Sequence, residues 1–300
     1  MIDQFNGKRI LITGGTGFVG CALIGRLMDS SAEIGITTRN IDRFSHRAPA
    51  LAKRTLYFEG IALDLLIGMK ADYIIHLEDT GTESLDHILK LAGECGARVL
   101  FASSGAVYGR HAPLYASEID KANPNTAYAM GKATLEQHAI YYSMPRWEGA
   151  QISCVIARMF AFVGPYLPLD ANYAIGNFIG DGLHGGPILV RGTGAAVRSY
   201  LYTTDLADWL LGLLLNGKSG EAYNVGSEDA LTIAELAKRV ATHFPHNPEV
   251  IIKGDPSQAS NVYVPDTSKA WALKLRQTVS LDDAIDRTIE WNRKQLPLRP

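Results

Sequence analysis

Short apolar runs at residues 8–13, 33–37, 55–59, 73–77, 98–103 and 151–158 punctuate the first half of the chain. Between them lie segments with helical spacing, among them 21–28, 85–92 and one starting near Thr126. Strands alternating with helices are the pattern of a parallel, doubly wound α/β sheet of Rossmann type. The rhythm changes after Gly164-Pro165, where Pro168, Gly176, Gly180, Gly182, Gly185, Gly186 and Pro187 break the chain into loops and short elements. We expect a first domain over 1–164 and a smaller C-terminal substrate lobe over 165–300, with a stretch near 200–226 returning to the first domain. Two later helices announce themselves by their caps: Thr232 with Glu235 before Leu236 and Val240, and Ser280 with Asp283 before Ile285 and Ile289. No internal repeat or low-complexity stretch interrupts this plan.

Composition narrows the classes of function. With 300 residues, 47% of them apolar, the chain has material for a large core. Its formal charge of −2 offers no basic field for nucleic acid and no polybasic membrane signal. Apolar runs such as 210–215 are far too short to span a bilayer, and no secretory apolar segment opens the sequence. Cys21, Cys95 and Cys154 are scattered and odd in number, which fits reduced thiols and a cytoplasmic location. Neither they nor the eight histidines have metal-ligand spacing, and His76 reads as a core residue.

Chemistry enters at Thr13-Gly14-Gly15-Thr16-Gly17-Phe18-Val19-Gly20, where the first apolar strand runs into a glycine turn and then a helix. Such a turn cradles a dinucleotide pyrophosphate: Gly14 permits the tight turn, Gly17 lets backbone approach the phosphates, and Gly20 lets helix and strand pack closely. Thr16, Phe18 and Val19 share that turn, and Leu77 ends the strand expected beside it. About a hundred residues on, Tyr128 and Lys132 stand four apart, on one face of a helix. A phenol titrates near ~10, and a neighbouring ammonium favours its phenolate, making Tyr128 an acid/base for neutral pH. The strand at 98–103 delivers Ser103 and Ser104 to the ligand crevice, where Ser104 is placed to hydrogen-bond the oxygen that Tyr128 protonates or deprotonates.

With these residues the chain resembles the extended short-chain dehydrogenase/reductases, the NAD-dependent epimerase/dehydratase family acting on nucleotide sugars. The likeness runs over nearly the whole chain, through the glycine turn, Ser103-Ser104-Gly105-Ala106-Val107-Tyr108-Gly109, Tyr128 with Lys132, Gly164-Pro165, Asn177-Phe178-Ile179, Gly192-Thr193-Gly194 with Arg198, and Tyr223-Asn224-Val225-Gly226. It implies a catalytic trio of Ser104, Tyr128 and Lys132, with Lys132 also holding the nicotinamide ribose. It further implies that Asn177 and Arg198 contact the sugar diphosphate, that Tyr108 lines the sugar site, and that Arg191 stacks on the base or stands exposed. A homodimer through the 85–92 and Tyr128 helices is the family expectation.

Departures from the family pattern shape the finer reading. Thr38 stands where an NAD site usually has an acid, with Arg39 next and Arg43 one turn on, which favours NADP over NAD. Ile61 replaces an aspartate expected near the adenine, and Glu78 replaces a small residue beside the pyrophosphate, which it repels unless it turns away or meets a cation. The stretch between Glu78 and Arg98 is short, Ala161 replaces an asparagine near the sugar, and Ser257-Gln258-Ala259-Ser260-Asn261 replaces an expected arginine. Ser104 is followed by Gly105 and Ala106 instead of a carboxylate, so elimination and decarboxylation lose their expected proton carrier. What remains is reversible hydride transfer at C4 of a nucleotide-activated hexose, by a 4-epimerase or a 4-ketoreductase. Two other readings are an NADPH carbonyl reductase for non-nucleotide substrates and a silent NAD(P)-binding module.

Overall fold

Every apolar run of the first half becomes a strand of one central sheet. In the computed structural model, which describes residues 1–60, 67–78, 82–145, 151–255 and 261–295, these are β1 Arg9–Thr13, β2 Glu33–Thr38, β3 Thr55–Glu59, β4 Tyr73–His76, β5 Arg98–Ser104 and β6 Cys154–Met159. Two short strands, Phe162–Val163 and Leu201–Tyr202, pair outside it, and Ala222–Val225 returns to its edge. The sheet is parallel throughout, and β1 lies between β2 and β4, so the chain winds away from β1 in both directions. Outside the carboxyl ends of β1 and β4 this reversal opens a crevice, the usual ligand position in such sheets. The strand expected from Gln151 begins three residues later. The backbone amide of Ile152 donates to the Tyr142 carbonyl and the Gln151 side-chain Nε2 to that of Ser143, so the preceding helix claims those residues before the sheet does.

Of the apolar cores among the described residues two concern the site, while a third, around Leu11, Ile74, Leu85, Val99 and Leu135, covers the other face of the sheet. The first packs helix α1, Phe18–Leu27, through Cys21, Leu23, Ile24 and Leu27, and a later helix, Thr203–Asn216, through Leu206, Trp209, Leu210 and Leu213, against the sheet. The second gathers Ile175, Phe178 and Ile179 of helix Ala174–Leu183 with Leu236 and Val240 of Ile233–Thr242, and Ile285 and Ile289 of Leu281–Gln295. The caps form as expected: Thr232 and Glu235 make a reciprocal capping box, and the Asp283 amide donates to the Ser280 hydroxyl at 3.2 Å. Among the described residues no helix is long and apolar enough to cross a membrane.

Candidate active site

The glycine turn closes the carboxyl end of β1. Gly14 has φ +66°, a conformation natural to glycine, and the Gly17 amide donates back to its carbonyl at 3.0 Å. Gly17 then caps α1, which starts at Phe18, three residues earlier than the apolar spacing indicates. A Cβ on Gly20 would stand 2.3 Å from the Gly15 carbonyl oxygen, so this glycine serves the helix's approach to the turn itself. The first amides of α1 have no intrahelical acceptor and carry the positive end of the helix dipole, which fits a diphosphate. Arg47, which the sequence did not single out, donates to the Thr16 carbonyl at 2.7 Å and to Cys21 Sγ at 3.1 Å, setting a guanidinium against the turn. Arg39 is exposed, while Arg43 lies in the first turn of a helix capped by Asn40.

Beneath the turn, buried His76 accepts or donates through Nδ1 to the Thr13 hydroxyl at 2.7 Å. Burial, aided by the nearby Lys132 charge, lowers its pKa to about 4, so the imidazole is neutral at pH 7. Beside it Glu78 has turned inward: its Oε1 accepts both the Gly14 amide at 3.1 Å and the Thr37 hydroxyl at 2.8 Å. Of the two ways out, turning away or meeting a cation, the carboxylate takes neither in full: it is held by two neutral donors. Leu77 Cβ lies 3.4 Å from where a Gly14 side chain would begin. Ile61 and residues 257–260 lie outside the described residues.

Across the crevice, Thr126 caps the helix Ala127–Ser143 by accepting the Ala129 amide at 3.1 Å. This fixes Tyr128 in the first turn, half exposed toward the cleft, and buries Lys132 one turn later. Lys132 Nζ donates to the Ala102 carbonyl on β5 at 3.1 Å and lies 5.9 Å from the Tyr128 ring centre. Ser104 ends the same strand and accepts the Ala106 amide at 3.2 Å. The three side chains that the sequence proposed for catalysis therefore converge. Ser104 and Tyr128 line one cleft of about 560 Å³, together with Phe18 and Val19 from the glycine turn and Arg198 from the far side.

The far wall holds what the sequence did not reveal. Tyr263, on the strand Val262–Tyr263, shares a hydrogen bond of 3.1 Å with Ser104 Oγ and donates to the Met159 carbonyl at 3.0 Å; burial pushes its pKa up to about 12. Asn261 holds Arg198, whose Nη2 donates to Asn261 Oδ1 at 2.7 Å, and the guanidinium lies over the Tyr263 ring. A tyrosine flanked by valines reads locally as an ordinary strand aromatic; only its parallel pairing beside Val197–Arg198 brings it to Ser104.

Three proposed substrate residues stand elsewhere. Tyr108 is buried, its hydroxyl donating to Asn224 at 2.8 Å and accepting from Arg158 at 2.9 Å, so it is a packed network member outside the cleft wall. Arg191 is exposed and does not line the cleft. Asn177 sits in the first turn of its helix, behind the lining residues Asn172, Tyr173, Ala174 and Ile175. Among the described residues that line the cleft there are no Asp, Glu or His side chains.

Comparisons with known proteins agree with this fold. A model of the NAD dependent epimerase/dehydratase family matches residues 10–226. A UDP-glucuronic acid decarboxylase of Arabidopsis thaliana is 30% identical, the match covering 94% of this chain and 69% of that protein. One from Xenopus tropicalis is 27% identical over 98% of this chain and 74% of its own length. Among solved structures, UDP-glucose 4-epimerase from Thermotoga maritima, with UDP-glucose, superposes with a TM-score of 0.85 at 20% identity, covering 96% of this chain and 100% of that one. A dTDP-glucose 4,6-dehydratase from Streptomyces venezuelae, with NAD bound, gives 0.80 at 24% identity, covering 95% and 97%.

Proposed function

The chain belongs to the NAD dependent epimerase/dehydratase family, and we propose that within it this protein acts on a nucleoside-diphosphate hexose by reversible oxidation at C4, as a 4-epimerase. The observation that carries this reading is the cleft itself: Ser104 and Tyr128, with Lys132 behind, face Arg198, and among the described residues that line the wall there is no carboxylate. Tyr128 takes the proton of the C4 hydroxyl and returns it after the sugar has turned over. Lys132, fixed by the Ala102 carbonyl, keeps a positive charge beside the phenol and favours its ionised form. Ser104 orients the C4 oxygen, and Arg198, held in place by Asn261, offers a planar fork to the diphosphate. The bound nicotinamide dinucleotide supplies the hydride acceptor and donor.

Decarboxylation, the activity named for the curated relatives, and elimination both require a second acid or base near C5 or C6. Gly105 and Ala106 follow Ser104 where such a group would be expected, and the described residues that line the cleft include no carboxylate or imidazole. NAD, bound by the dehydratase structure above, is the dinucleotide we assign; it is recycled within each turnover of an epimerase. The test is to incubate the purified protein with UDP-glucose, UDP-galactose, dTDP-glucose and UDP-glucuronic acid and identify products by NMR. A C4-inverted hexose supports the reading. Carbon dioxide and a pentose from UDP-glucuronic acid, or a 4-keto-6-deoxy sugar, overturns it.

A further inference from the structure

We infer that Glu78, at the end of β4, is the group that receives the adenosine ribose and selects NAD over NADP. This rests on the dinucleotide reading of the glycine turn and deepens it. In this type of sheet the ribose hydroxyls are met by an acid near the end of β2, between that strand and the first glycine. Here the end of β2 carries Thr38, and Thr37 beside it points a hydroxyl at Glu78. The carboxylate reaches from β4 across the carboxyl end of β1: Oε1 accepts the amide of Gly14, the first glycine of the turn, and the Thr37 hydroxyl of β2. An acid therefore stands between those same two landmarks although it departs from a different strand.

The anchoring has a chemical consequence. Both acceptor directions of Oε1 are spent on protein donors, and the described residues give Oε2 no hydrogen-bond partner. That oxygen suits a donor, which a ribose hydroxyl is. A 2′-phosphate is an acceptor and an anion, so the same carboxylate opposes it. The preference for NADP that Thr38 and Arg39 suggest is reversed by a residue forty positions further on; Arg39 itself is exposed. With two donors holding it, Glu78 is also pre-oriented, which limits the entropy lost when a ligand binds.

The experiment is a fluorescence titration of the purified chain, stripped of any retained nucleotide, with NADH and with NADPH, for wild type, Glu78→Gln and Glu78→Ala. Melting temperatures check that each is folded. Wild type should bind NADH more tightly, and Glu78→Gln, which keeps the acceptor for Gly14 but loses the charge, should weaken NADH and improve NADPH. The ratio of affinities should narrow by about tenfold to a hundredfold, the range for a hydrogen bond to a charged group. Glu78→Ala should narrow it as well. Equal tightening of both dinucleotides in the two variants would identify Glu78 as an obstruction in the cradle, and an unchanged ratio would make it a bystander. Either result overturns the assignment while leaving the dinucleotide site intact. Binding of neither dinucleotide by any form removes the site itself, and the assignment with it.

Discussion

The helix that carries Tyr128 and Lys132 is tied by a buried ion pair to β6, the strand beside the one that carries Ser104, and removing its acid should be costly. Glu136, on that helix and 3% exposed, accepts Arg158 Nη2 at 2.8 Å and Arg158 Nε at 3.0 Å. It also accepts the hydroxyl of Ser103, the neighbour of Ser104. Burial works against the Arg158 charge, yet the bonds to Glu136 hold its pKa above the usual arginine range. In Glu136→Ala the guanidinium keeps, among the described residues, the Tyr108 hydroxyl at 2.9 Å as its remaining acceptor. An uncompensated buried charge costs about 3–5 kcal/mol. The orphaned Ser103 hydroxyl adds about 1 kcal/mol where water does not replace the carboxylate. Much of this is the penalty of a stranded charge and not the net worth of the pair. The double variant Glu136→Leu with Arg158→Met should therefore recover a large part of the loss. Urea denaturation followed by far-ultraviolet circular dichroism measures both. A loss below about 1 kcal/mol in Glu136→Ala would refute the reasoning, since it would mean that water reaches and solvates Arg158.

Three further outcomes are expected. Tyr128→Phe should lower turnover by about a hundredfold to ten-thousandfold while leaving NADH affinity nearly unchanged, as titration and steady-state kinetics will show. Gly20→Ala places a methyl 2.3 Å from the Gly15 carbonyl oxygen, a backbone atom, and should abolish dinucleotide binding, lower the melting temperature, or both. The neutral burial of His76, with a folded-state pKa of about 4 against 6.5 unfolded, means the unfolded chain binds the extra proton between those values. Stability from this group is complete above about pH 6.5 and falls as the pH drops toward 4, by up to about 3 kcal/mol; denaturation midpoints across that window should lose this component in His76→Gln.

What was legible in the sequence was what local chemistry determines. Buried parallel strands are apolar along their length, and even the edge strand Thr55–Glu59 keeps an apolar run with Leu56 and Tyr57 exposed, so all six runs were visible, and the glycines of the turn and the Thr126 cap mark helix starts through backbone requirements of their own. What escaped depends on which strand lies beside which. Glu78 meets Gly14 and Thr37 because β4 and β2 flank β1, and no spacing rule reports that. Tyr263 and Asn261 reach Ser104 and Arg198 through pairing of segments more than sixty residues apart. Tyr108 shows the converse: its motif position suggests the cleft, but Arg158 and Asn224 claim its hydroxyl from beneath. Gln151 and Ile152 carry strand-like chemistry and are captured by the helix before them.

The central claim is that hydride leaves and returns at C4 with no proton chemistry at C5. The most direct measurement is to convert a nucleotide hexose deuterated at C4 in ordinary water, and a protiated one in deuterium oxide, and locate the label in the product by NMR. The account predicts an inverted C4 that keeps its deuterium, and a C5 that takes none from solvent. Solvent hydrogen appearing at C5, or loss of the C4 label to water, would contradict it.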